Sequence, residues 1–359
     1  MKGIKQLMVM EEMPKPKKTT ILLRGQYDQP GTEVFPNTPT DILPYPASLP
    51  RNRLGLAKWL THEDHPLTSR VAVNRIWQQF FGIGLVKSSE DFGNQGNLPS
   101  NPQLLDWLAV EFRESGWDLK KLIRLIVTSE TYKQDSYASP ALRELDPENS
   151  LLARGPSGRL TAEMMRDNAL AASGLINKKI GGESMKPYQP EGLWEINSAS
   201  YKADSTDAMY RRSLYIISKR TVPHPTMATF DASERSSCLS RRQKTNTPLQ
   251  ALVLLNDPSF LEAAKVMGEK MSREANADNA IRMAYKKLAG RDPSSKELDV
   301  LRALQQTEME KFRANPDKAK GLLNAGIYQI DKNIDRALIA SNTIVASTIM
   351  NSDATITKR

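Results

Sequence analysis

The chain has 359 residues, with 50 Lys and Arg against 41 Asp and Glu, three His and one Cys, for a formal net charge of +9. Hydrophobic residues make up 39% of it, enough for the core of one large domain or two ordinary ones and too much for a wholly disordered chain. One cysteine excludes an intrachain disulfide framework, a Cys-rich zinc module and a CxxCH haem-attachment site, and no run of about 18 apolar residues offers a membrane span.

The opening segment, MKGIKQLMVMEEMPKPKK, has too short an apolar part for a secretory signal, and Glu11 and Glu12 interrupt it. Taken alone it points to a cytoplasmic protein or to a fragment whose true start lies upstream. Residues 1–50 read as an extended, Pro-rich arm with one short strand, Thr19–Tyr27, because proline fixes φ and removes backbone donors. From residue 51 to residue 359 the pattern is that of a mainly helical domain, with two lobes at 51–180 and 206–359.

Leu54, Ala57 and Leu60 recur at helical spacing beside Trp59. The next helix takes Thr68 as its N-cap, Val73, Ile76, Trp77 and Phe80 as its apolar stripe, and Gly82 as its stop. Asp91–Ser100 is a Gly/Asn loop. Asn101-Pro102 opens a helix in the favoured way, with Leu104, Leu105, Leu108 and Phe112 on its inner face. Asp118 caps another, with Leu119, Leu122, Ile123, Ile126 and Val127 in register, so the two form an antiparallel pair. Leu160–Leu175 is a further helix with Met164 and Met165 in the core. Gly181–Ser205 reads as a mobile loop or lid, and Ser213–Ser218 (SLYIIS) as the best strand of the second half. Thr247-Pro248, Asp257-Pro258, Ala277–Ala289, Ser294–Ala314 and Asp331–Met350 mark a helical C-terminal half. No period of 20–50 residues repeats. The expected fold is mainly α: an irregular multi-helix bundle with a few short β-strands and long loops.

The densest chemistry lies at 211–244, RRSLYIISKRTVPHPTMATFDASERSSCLSRRQK, with eight basic residues against two acids, the only cysteine and one of the three histidines. Arg211, Arg212, Arg220, Arg241 and Arg242 either line a cleft for an acidic ligand or pair with neighbouring acids to organise a long loop. Arg70 and Arg75, on one helical turn with Asn74, offer a second anion contact or a structural tie. Cys238 sits among cations that would favour a thiolate, but no Cys/His motif accompanies it. His224 with Asp231 is the one acid–base pairing that the segment suggests. His62 and His65 are spaced i, i+3, yet Pro66 breaks a helix there, so no metal site is expected and a helix-end role fits better. Asp91-Phe-Gly matches a kinase triplet in spelling only. No helix-turn-helix, zinc finger or RNP-type strand supports nucleic-acid binding.

In order, NRLGLAKWL, HPLTSRVAVNRIWQQFFGIGLVKSSEDFGNQGNLPSNPQLLDWLAVEF, GWDLKKLIRLIVTSETYKQ, the 211–260 block, LAGRDPSSKEL and MNSDATITKR resemble the planctomycete-type PSD domain (domain of unknown function fifteen-fifty-three), over about residues 20–359. Members are typically large secreted or surface proteins in which this domain follows a cytochrome c-like haem domain and another helical domain. The resemblance implies a periplasmic or cell-surface home, with haem only in an upstream domain and no cofactor in this chain. It supplies no catalytic residues. The resulting expectation is a helical binding or scaffolding module of an envelope-associated, cytochrome-linked protein, whose basic face meets an acidic ligand or neighbouring domain. The alternatives are a hydrolase acting on anionic polysaccharide and a docking partner for an acidic cytochrome.

Overall fold

Proline decides where many of these helices begin. Among the described residues it occupies the first turn of six of them, where its missing N–H goes unused, and in four the preceding Asn, Asp or Ser accepts a backbone N–H: Asn101 from Leu104, Ser139 from Leu142, Asp257 from Ser259 and Asn315 from Lys318. A computed structural model describes residues 8–15, 17–194 and 200–358. Its fold is mainly α, in two compact units: Met1–Gln134 with Ser139–Ala153, and Asp135–Ala138 with Arg154–Arg359.

In the first unit, the expected single strand is a hairpin of β1 (Thr19–Leu22) and β2 (Pro30–Val34), antiparallel with Thr19 opposite Val34. The helices are α1 (Arg53–Leu60), α2 (Thr68–Phe81), α3 (Pro102–Glu114), α4 (Leu119–Val127), α5 (Glu130–Lys133) and α6 (Pro140–Leu145). Val73, Trp77, Leu85, Leu105, Leu108, Phe112, Leu122 and Ile126 form the core, as the stripes of α2 and α3 predict; of the expected α4 stripe only Leu122 and Ile126 are buried, while Leu119 and Ile123 are exposed, because a nine-residue helix packed on one side turns a narrower face inward. The α1 stripe is a correction: Leu54 and Leu60 are exposed and Trp59 is buried. What α1 packs is its Gly55 face, set against Tyr45 and Pro50 of the arm, while the Trp59 indole donates to the Leu43 carbonyl. Thr68 is the first helical residue rather than the cap. The His65 ring takes the capping role, its Nδ1 accepting from the Leu67 and Thr68 amides.

The second unit holds β3 (Gly158–Arg159), α7 (Ala162–Ser173), α8 (Pro225–Thr229), α9 (Pro248–Asn256), α10 (Pro258–Met271), α11 (Ala277–Ala289), α12 (Ser295–Ala314), α13 (Pro316–Leu323), α14 (Arg336–Met350), α15 (Asp353–Ile356) and β4 (Thr357–Lys358). β3 and β4 pair antiparallel. Contacts therefore place α7 with the C-terminal helices, and the units divide near residue 153 rather than at 180. The centre is α10 against α14. A Cβ on Gly268 would lie 2.6 Å from Thr343 Oγ1, 2.7 Å from its backbone nitrogen and 2.9 Å from the Ile339 carbonyl, so only glycine permits that approach. Met165 is buried but Met164 is 55% exposed, because α7 turns one face only to the core. SLYIIS is not a strand. Ser213–Tyr215 is a 3-10 turn, and only Ile216 forms a bridge, to Met185. The reason is lateral: the Ser213 amide donates to Asp167, leaving no ladder to extend.

α10 also carries three charges inward. Glu262, Lys265 and Glu269 are each 5% exposed or less. Glu262 accepts from the Tyr188 hydroxyl (3.0 Å), the Tyr210 hydroxyl (2.9 Å) and the Tyr328 amide (2.6 Å). Lys265 Nζ donates to the carbonyls of Leu323, Ala325 and Tyr328. These bonds satisfy buried charges that would otherwise be costly and tie three loops to one helix.

Candidate binding site on the basic segment

The fold divides the 211–244 segment in two. Its first half is internal bracing. Arg211, 5% exposed, donates to the carbonyls of Glu183 (2.5 Å), Gly181 (2.5 Å) and Lys179 (3.2 Å), with its guanidinium 3.7 Å from the Tyr215 ring centroid. Arg166 of α7, buried, donates to the carbonyls of Met209 and Arg211 and to the Ser213 hydroxyl. Burial pulls its pKa down to about 10. Arg212 lies 3.6 Å from Asp167. The expected lid at 181–205 is thereby fastened along much of its length. The Met185 amide bonds the Tyr215 carbonyl, the Lys186 amide bonds Asp204, and Tyr201 donates to the Pro187 carbonyl. Residues 195–199 of that segment lie outside the described residues.

His224 is buried, with Nε2 2.9 Å from the Tyr188 carbonyl. A carbonyl can only accept, so Nε2 carries the proton and Nδ1 is bare; Nδ1 has no partner. Burial lowers the imidazole pKa, which keeps the ring neutral. Asp231 points elsewhere: its carboxylate accepts from the Thr245 amide (2.8 Å) and hydroxyl (2.9 Å). Both groups are thus spent on backbone ties rather than on one another.

The second half is exposed. Asp231 adopts a left-handed φ of 59°, and its bonds to Thr245 close the ends of a 232–244 loop into an Ω-shaped excursion. Gln250 reinforces the neck from α9, donating to Thr245 Oγ1 and the Thr229 carbonyl. Arg159 donates to the Thr245 carbonyl from the far side, its guanidinium over Phe230. Beyond the neck, Glu234–Leu239 and Arg241–Lys244 are exposed; Cys238 is a free, exposed thiol. Arg242 forms a bidentate pair with Glu163 at 3.0 and 2.7 Å. Burial raises the Glu163 pKa, but the Arg242 bonds outweigh it and hold the carboxyl below its ordinary value. Among the described residues, Arg235 and Lys244 make no ion pair, and neither does exposed Arg220 ahead of α8.

The loop runs directly into α9, PLQALVLLN, which is apolar nearly all round. Gln250 and Leu254 face inward. Leu249, Leu252 and Leu255 form the opposite face, 56%, 56% and 41% exposed, a bare apolar surface of the kind that marks contact sites.

The remaining sequence candidates lie in the first unit. Arg70 bonds Asp106 (2.6 Å) and the Pro66 carbonyl (2.5 Å), and Arg75 is exposed. Asn74 between them is buried, clasping the Val86 amide and carbonyl. That unit also contains a cavity of about 200 Å³ beside Trp77, Phe81, Leu85, Lys87, Glu148 and Leu152. Among the described residues no group of three or more His, Cys, Asp or Glu is placed to hold a metal ion, and no helix is long and apolar enough to cross a membrane.

Residues 52–305 match the model of the PSD1 family, described as proteins of unknown function (DUF1553). The chain belongs to this family. No curated protein and no solved structure matches it. The family match spans both units and takes in α1 to α11, the Ω-loop and the first half of α12.

Three features of this PSD1 chain escaped the sequence reading: the bare side of α9, the cavity, and the inward charges of α10. Only α9 carried a usable signal, since a nine-residue helix apolar except at Gln250 and Asn256 must be either enclosed or left partly uncovered.

Proposed function

We propose that this PSD1 chain is a non-catalytic binding and scaffolding module of an envelope-associated, cytochrome-linked protein, and that the 232–244 loop together with α9 docks an acidic face of a neighbouring domain or partner protein. The observation that carries this reading is the fastened neck: Asp231, Thr245, Gln250 and Arg159 hold a loop whose Arg235 and Lys244 make no ion pair among the described residues. A fixed neck limits the entropy lost when the loop is engaged, and a cationic loop that leads directly into an apolar helix face suits a partner that offers both carboxylates and leucine-like contacts. The periplasmic or cell-surface location belongs to this proposal and rests on the family's typical setting.

The test uses two immobilised probes, poly-L-glutamate and a helical peptide with Leu on one face and Glu on the other. The peptide is expected to bind about tenfold tighter, with salt weakening both. Arg235→Ser/Lys244→Ser lowers binding to both probes; Leu249→Ser/Leu252→Ser brings the peptide down to the poly-L-glutamate level. A control, Lys58→Ser/Lys120→Ser, removes the same charge from the first unit. Equal losses in the control and the loop variant would refute the assignment.

A further inference from the structure

The cavity of the first unit shares no residue with the loop and has a chemistry of its own. At about 200 Å³ it falls below the ~300–1,000 Å³ of pockets that hold drug-sized molecules, so its occupant is small. Trp77 and Phe81 stack at 4.0 Å with their planes 10° apart, and with Leu85 and Leu152 they give one part of the cavity an apolar, aromatic lining. Also on the lining are Lys87 and Glu148, Nζ to Oε1 2.5 Å, both half exposed. A half-exposed ion pair is weakly held, and its two members can each turn to a ligand of opposite charge.

The wall beside Glu148 is set with some strain. Asn149 and Leu152 have φ of 56° and 55°, a region that costs a branched apolar residue such as leucine. The buried Asp146 carboxylate holds them there, accepting from the Ser150 amide and hydroxyl and from the Leu151 amide. Strained backbone fixed around a cavity with charged and aromatic lining is an arrangement that packing alone does not call for.

We propose that this cavity binds a small zwitterion with an apolar side chain, a free amino acid of the leucine or phenylalanine class. The side chain lies against Trp77 and Phe81, the carboxylate meets Lys87, and the ammonium meets Glu148. An anion without an ammonium would face Glu148 unpaired, a cation without a carboxylate would face Lys87, and a neutral hydrocarbon would desolvate both with no return.

Isothermal titration calorimetry on the full chain tests this with L-leucine and L-phenylalanine, against isovalerate, isoamylamine and N-acetyl-L-leucine amide. Saturable binding of at least one amino acid is expected, with each control about tenfold weaker or worse. Lys87→Gln and Glu148→Gln each weaken it about tenfold; both side chains are at the surface, and circular dichroism checks that the fold is kept. No saturable binding of either amino acid up to about 10 mM overturns the proposal. So does a control that binds as tightly as its amino acid, or binding that both substitutions leave unchanged. None of these outcomes bears on the 232–244 loop.

Discussion

Replacing Glu262 by alanine should be among the most damaging single changes in the chain. The carboxylate receives three donors, from Tyr188, Tyr210 and the Tyr328 amide, at 2.6–3.0 Å, and its residue is 1% exposed. Burial and the neighbouring Glu262 charge raise the pKa of both tyrosines, so they remain hydroxyl donors at any working pH. Hydrogen bonds to a charged group contribute about 1.5–3 kcal/mol each, and orphaned buried donors carry a penalty of similar size. The truncation also removes a buried charge and leaves a void beside Gly326, whose Cα has no side chain to fill it. The net expectation is a loss of about 4–6 kcal/mol, a large fraction of the ~5–15 kcal/mol of a typical domain. Tyr210→Phe, which takes away one donor and leaves Glu262 two, should lose about 1–2 kcal/mol. Urea unfolding followed by circular dichroism measures both, with hydrogen exchange at 324–331 as the local reporter. A Glu262→Ala protein within about 1 kcal/mol of the parent, with 324–331 still protected, would refute the idea that this carboxylate ties the loops to α10.

Gly268→Ala should destabilise by about 1–3 kcal/mol or more, since two of the three atoms its methyl meets are backbone and cannot give way; a thermal melt checks it. Glu297 takes hydrogen bonds from Arg291, which lower its pKa most, and from Tyr285 and the Ser294 amide, against an opposing effect of burial. Its folded pKa therefore lies below the unfolded one, so its contribution is present above the usual carboxylate range and is lost as pH falls. Glu297→Gln should cost about 1 kcal/mol at neutral pH after allowance for solvent screening, a difference that shrinks in urea melts below about pH 4. His224 has the same direction for a different reason: burial depresses its pKa, so the unfolded chain takes up a proton first as pH drops below about 6.5. Stability should then fall as pH drops through about 6.5 toward the lower folded-state value, and His224→Gln, which can still donate to the Tyr188 carbonyl, should flatten that slope. An unchanged slope would show that the ring is not held neutral.

Much of the architecture was legible residue by residue. Asn101-Pro102, Asp118, Asp257-Pro258 and Ser294 start helices through bonds made within three residues, and Gly82 and Gly290 end them for equally local reasons. The stripes of α2 and α3 identified their own core because a helix that buries one face must repeat apolar residues near every 3.6 positions. Where partners come from far along the chain, the pattern misled. The α1 leucines look like a core stripe, but the face that packs is Gly55, which has no side chain to signal it. SLYIIS has strand composition, but a strand also needs a neighbour, and Asp167 takes the amide instead.

The sequence by itself determined that this chain is helical, cationic and a member of its family, because caps, periodicity and charge are properties of short windows and of totals. The tertiary structure alone decided what each charge does. Spacing of i, i+3 and i+7 at Glu262, Lys265 and Glu269 reads as a solvated face, and becomes interior because Tyr188 and Tyr210 from earlier in the chain and a loop some sixty residues later fold over it. In the same way Arg211 and Arg235 are alike in composition and neighbourhood, yet one is enclosed by backbone carbonyls and the other left in water. Burial depends on which distant segment arrives, and no local pattern encodes that.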